Sequence, residues 1–113
     1  MRIAFLPEPD GVVVARELVD GVPEGEFFLA DTSEVHHRDP TGIVRFAGPN
    51  LDALRTMASA WDRYCSDVSV ADGEEEELEV VARLKAEIDA AGGLRDGNGF
   101  WDCIVEQAKD GQL

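Results

Sequence analysis

The chain has 113 residues, and 24 Asp plus Glu against 10 Lys plus Arg give it a formal charge of −14 at pH 7. That length suits one domain able to bury a core without a disulfide or metal staple. The charge argues against nucleic acid and anionic membranes as partners, since both are held through Lys and Arg; it suits a basic protein, although solubility alone accounts for it equally well.

The first half reads as strands and turns. Arg2-Ile3-Ala4-Phe5-Leu6 is a short apolar run, closed by the turn sequence Pro7-Glu8-Pro9-Asp10-Gly11. Val12 to Ala15 is a second strand. Asp20-Gly21 and Pro23-Glu24-Gly25 punctuate the next stretch, and Glu26 to Ala30 is a third strand. Val35 to Arg38 and Gly42 to Ala47 supply a fourth and a fifth, joined by the tight turn Asp39-Pro40-Thr41-Gly42. The links are too short for βαβ crossovers, which favours antiparallel pairing.

The second half reads as helices. Gly48-Pro49-Asn50 stops the last strand, with Asn50 as N-cap and Asp52 in the first turn. Leu51, Leu54, Met57, Ala58, Trp61, Tyr64 and Cys65 come next at spacings of three and four, forming one apolar helical face. Ser66 to Gly73 is polar and is expected to be a loop. Glu74-Glu75-Glu76-Glu77 then opens a second helix, where four carboxylates complement the helix dipole or present an acidic patch to a partner; the two roles are compatible. Leu78, Val81, Leu84, Ile88 and Ala91 form its apolar face, Glu79 and Arg83 are spaced for an i,i+4 pair, and Gly92-Gly93 ends it. A last helix covers roughly Asn98 to Lys109, with Phe100, Trp101, Ile104, Val105 and Ala108 as its stripe and Gly111 as its stop. Ordinary packing competes with a half-exposed anchor role for one of Phe100 and Trp101, and packing is favoured.

Signals for chemistry are sparse. No phosphate-binding glycine loop occurs. His36 and His37 are adjacent, so on a strand they point to opposite faces, and no HxH, HExxH or CxxC spacing supports a shared metal; they read as surface turn residues. Cys65 and Cys103 fall in helical patterns and read as small core residues. Asp102 and Glu106 beside Cys103 oppose a thiolate there. No apolar leader precedes the domain and no segment has membrane-spanning length, so a cytoplasmic protein with reduced thiols is expected.

The segment Gly99 to Leu113, with its pattern of Trp101, an acidic Asp102, apolar Ile104, Glu106 and a later Gly111, resembles the C-terminal helix of the SUKH superfamily of immunity proteins, particularly the class common in actinobacteria. The upstream order is similar: Glu26 to Ala30, Glu34 to His37 and Ile43 to Phe46 stand where that family has strands, and Asn50 to Leu54 where it has a helix. The likeness covers roughly residues 25 to 113; the family's leading helix has no counterpart here. It implies an α+β fold and a protein that neutralises a toxin, often a nuclease or nucleic-acid deaminase, by binding it, with no catalytic residues to carry over. Trp101 and Glu106 would be structural or partner-facing.

The expectation is therefore one acidic α+β domain over residues 1–113, an antiparallel or mixed sheet packed against about three helices. Its expected role is a non-catalytic intracellular immunity protein directed at a basic toxin enzyme. Partner contacts are expected at Asp67 and Asp72, read as one acidic loop, at Glu74, Glu75, Glu76 and Glu77, and at Trp101 and Glu106. No catalytic residue, metal or cofactor is expected. The alternatives are a small metal- or thiol-dependent enzyme using His36, His37 and Cys103, and a self-associating module using a sheet edge.

Overall fold

A computed structural model describes residues 1–110. Five strands come first: β1 (Arg2–Asp10), β2 (Val13–Val19), β3 (Val22–Leu29), β4 (Val35–Arg38) and β5 (Val44–Gly48). Three helices complete the chain: α1 (Leu51–Val70), α2 (Glu74–Ala90) and α3 (Phe100–Lys109). The strands lie side by side in chain order, and all four neighbouring pairs are antiparallel, so the sheet is not mixed. The fold class is α+β. The expected stop at Gly111 lies outside the described residues.

Turn chemistry sets the meander. Asp20 and Gly21 both have positive φ, 52° and 79°, the conformation a two-residue hairpin of matching twist requires; Val19 and Val22 pair across it. At the β4–β5 turn, Asp39 Oδ1 accepts hydrogen bonds from the Thr41 N–H, the Ile43 N–H and the Thr41 hydroxyl, at 2.9, 3.0 and 2.6 Å. Those donors hold the Asp39 carboxyl below its ordinary pKa, the Thr41 hydroxyl contributing most.

Four expected boundaries move. β1 does not end at Leu6 but continues to Asp10, and the reversal falls at Gly11–Val12. Pro7 and Pro9 lack an N–H to donate, which an edge strand tolerates; the pairing with β2 is irregular between Phe5 and Asp10. β2 and β3 are longer than expected, because Pro23 and Gly25 sit inside β3 beside a bulge at Glu17/Leu18. α1 runs through the expected loop to Val70. There Ser69 Oγ donates to the Ser66 carbonyl, Val68 packs on the core, and Arg83 on α2 holds Asp67.

One core joins sheet and helices. α1 buries Leu54, Met57, Trp61 and Tyr64; α2 buries Leu84 and Ile88; α3 buries all five residues of its stripe. Trp101 is 0 % exposed, so neither aromatic of the Phe100–Trp101 pair turns outward. Cys65 is exposed and Cys103 only partly buried, so neither is the small core residue expected; Tyr64 takes the inward position at the end of the α1 stripe. Leu78 is also solvent-exposed despite its place on the expected apolar face. Asn50 Oδ1 accepts from the Ala53 N–H at 2.8 Å and caps α1 as its sequence position indicates.

Candidate interaction surface

α1 and α2 meet at a corner, Ala71–Gly73, where two long helices reverse direction. Ala71 leaves helical geometry with ψ 135°, and Gly73 takes φ 98°. Two cross-helix ion pairs zip the seam behind it, Arg63–Glu87 at 2.6 Å and Arg83–Asp67 at 3.4 Å. Asp67 is thus on a helix and engaged by Arg83 rather than free in a loop, and Arg83 does not form the expected pair with Glu79.

The four-glutamate run divides by role. Glu76 Oε2 accepts from the Asp72 backbone N–H at 2.8 Å, closing the start of α2 in place of a side-chain N-cap. Glu74, Glu75 and Glu77 are exposed and form no ion pair among the described residues. Two apolar side chains on either side of the corner are exposed: Val70, the last residue of α1, at 78 %, and Leu78, near the start of α2, at 54 %. A shallow hollow joins Glu74, Glu77, Leu78 and Val81 to Ala108, Lys109 and Asp110 at the end of α3. Burial pushes the Tyr64 phenol pKa up, and the charges of Cys65 and Glu77 add to it.

The remaining expected contacts lie elsewhere. Trp101 is sealed in the core, its indole Nε1 buried with no hydrogen-bond partner among the described residues, so it offers nothing to a partner. Glu106 is exposed on α3 and lines the α2–α3 seam, away from the corner. Sequence signals do not single out Val70 and Leu78. Val70 stands in a polar segment with the composition of a loop, and Leu78 in a helical stripe whose first turn extends past the core.

His36 and His37 do turn to opposite faces, but they are not surface turn residues. His37 is 5 % exposed and packs between sheet and helix, its ring 4.9 Å from Phe27 and 4.4 Å from Phe100. Its Nε2 lies 2.7 Å from Glu17 Oε1. That bond crosses β3 at Gly25, where a Cβ would stand 2.5 Å from His37 Nε2 and 2.9 Å from Glu17 Oε1; only glycine leaves the space. His36 lies on the other face with Phe28 and Phe46. Arg95, in the α2–α3 connection, reaches round to it: its guanidinium stacks 3.7 Å from the Phe46 ring centroid and donates to Glu34 at 3.1 Å. Hydrogen bonds from His36, then Arg95, hold the Glu34 carboxyl below its ordinary pKa.

Cys103 lines the α2–α3 seam, whereas His37 packs on Phe100 toward the sheet. Partial burial pushes the Cys65 thiol pKa up; the Met1 ammonium opposes this shift and Asp62 adds to it. Among the described residues no three His, Cys, Asp or Glu side chains converge in a way that could hold a metal ion, and no helix is long and apolar enough to cross a membrane. No family model, curated protein or solved structure matches the chain.

Proposed function

We propose that this protein is a non-catalytic, immunity-type binding protein that neutralises a basic toxin enzyme, a nuclease or a deaminase, by covering it with the acidic α1–α2 corner. The observation that carries the reading is the composition of that corner. Val70 and Leu78 are exposed apolar residues that flank Glu74, Glu75 and Glu77 along the chain, and no ion pair engages those carboxylates among the described residues. Exposed apolar residues can supply binding energy at an interface while neighbouring charges set selectivity. The −14 charge draws a basic partner from a distance. The resemblance of residues 99–113 to the SUKH immunity helix supplies the class of partner.

Co-expression with the product of the adjacent reading frame tests it. The expected result is a stable complex in which the toxin's activity is lost, with association slowing steeply as salt rises. Glu74→Lys, Glu75→Lys and Glu77→Lys together slow association by roughly tenfold or more at low salt, and Val70→Asp with Leu78→Asp shortens the lifetime of the complex. A neighbour product that does not bind, or one bound equally fast by the charge-reversed variant, sinks the reading.

A further inference from the structure

The sheet has two edges, β1 and β5. An edge strand presents unpaired N–H and C=O groups to any chain able to add a strand. β1 is blunted by Pro7 and Pro9, which lack a donor, and its pairing is irregular from Phe5 to Asp10. β5 contains no proline.

The free groups of β5 follow from its register. The Asp39 N–H donates to the Ile43 carbonyl at 3.0 Å, and opposed residues of an antiparallel ladder alternate between bonded and non-bonded pairs. Arg38–Val44 and His36–Phe46 are therefore non-bonded pairs, so the N–H and C=O of Val44 and Phe46 point away from β4. Among the described residues no backbone group outside the sheet bonds to them. The two positions differ in cover: Val44 is 45 % exposed and Phe46 only 8 %.

The α2–α3 connection, residues 91–99, supplies that cover by passing round the edge. Gly93, near its start, is buried against Met57 and Ile88 on the helix side. Gly99, at its end, lies so close to β5 that a Cβ there would stand 3.1 Å from the Phe46 carbonyl oxygen. Between them Arg95 reaches the opposite face of the sheet, where its guanidinium stacks 3.7 Å from the Phe46 ring centroid and donates to Glu34 at 3.1 Å. Asp102 Oδ2 accepts from the Arg95 backbone N–H at 2.8 Å and steadies the same residue from the other side.

We propose that this connection is a strap that holds the chain monomeric. Arg95 clasps it over the β5 edge, and with the clasp open β5 pairs antiparallel with β5 of a second copy. A two-fold axis makes the edge its own complement, Val44 and Phe46 of each copy offering donors and acceptors to the other. The strand carries no carboxylate, and Ile43 and Val44 expose apolar side chains beside it. Pairing there brings no two acidic strands together, although the whole chain is strongly negative. The strap involves neither the acidic corner nor the partner assigned to it.

Amide hydrogen exchange and light scattering on the full chain test the two halves of this assignment. Exchange in dilute, low-salt solution reads the strap. Arg95→Ala, at a half-exposed side chain, keeps the circular-dichroism spectrum and speeds exchange of the Phe46 amide roughly tenfold, the scale of one exposed ion pair and one cation–π stack together, while Val44 stays near its parent rate. Light scattering at high salt, where the charge of each copy is screened, reads the edge. The parent is expected to stay monomeric and Arg95→Ala to dimerise as concentration rises. Adding Val44→Pro removes an outward N–H without touching the β4 ladder, and is expected to return the variant to monomer. Four results would overturn the assignment: a Phe46 amide that exchanges at the parent rate in Arg95→Ala, a parent chain that is already dimeric, an Arg95→Ala chain that stays monomeric, or a dimer that survives Val44→Pro.

Discussion

At the scale of single residues, the unusual groups are buried polar atoms. His37 has a carboxylate within bonding distance because Gly25 leaves the path open. Trp101 has no such partner: its ring lies 5.1 Å from Phe100 in an edge-on arrangement, and its N–H is enclosed without an acceptor among the described residues. An enclosed, unpaired donor costs about 1–3 kcal/mol of desolvation, and replacing it with an apolar group recovers that cost. Two opposing terms thus meet in Trp101→Phe, lost volume and the relieved N–H, whereas Trp101→Ala loses far more volume for the same relief. Urea denaturation is expected to show Trp101→Ala destabilised by about 3–5 kcal/mol and Trp101→Phe by less than half as much. A loss in Trp101→Phe greater than its missing volume accounts for would mean that the indole N–H finds an acceptor.

At the scale of elements, the parts legible in the sequence are those fixed by chemistry within a few residues. The Asp20-Gly21 hairpin, the Asp39–Gly42 turn, β4 and the Asn50 cap each depend on a side chain acting on nearby backbone, and each stands where its residues indicate. The departures share a different origin. Whether β1 stops at Pro7, whether α1 stops at Ser66, and whether Trp101 or Leu78 meets water depend on which element packs alongside. That information is spread over residues distant in the chain. Asp67 shows it directly, since its partner Arg83 belongs to the next helix. The candidate surface is legible as charge, but the exposure of Val70 and Leu78 is not. The Asn50 cap yields an element-scale expectation: Asn50→Ala removes the acceptor for the Ala53 N–H and is expected to cost about 1 kcal/mol, while Asn50→Gly costs only a few tenths. Thermal unfolding followed at 222 nm distinguishes the two, and indistinguishable midpoints would show that solvent satisfies that N–H equally well.

At the scale of the molecule, the dominant quantity is self-repulsion. The charge of −14 is distributed over a body of 44 × 29 × 25 Å, so many like charges lie within reach of one another at low ionic strength. At 0.15 M salt the screening length falls to about 8 Å, and repulsion across the surface fades before the short ion pairs at the α1–α2 seam do. The unfolding temperature is therefore expected to rise with sodium chloride from a few millimolar upward, by roughly several degrees for a change of about 1 kcal/mol. A falling midpoint would mean that the ion pairs outweigh the repulsion.

The order of the strands has a kinetic consequence. Each strand neighbours the one before it, so the sheet can grow by successive local hairpin closures, the kind of topology that folds quickly. The conspicuous long-range tie is the bond from Trp61 Nε1 on α1 to the carbonyl of Met1, at 2.7 Å and 60 positions apart. It forms only when the first strand and the first helix have met. With Trp101 replaced by Phe, Trp61 is the sole indole, and its fluorescence becomes a clock for the moment the two halves of the chain close on each other.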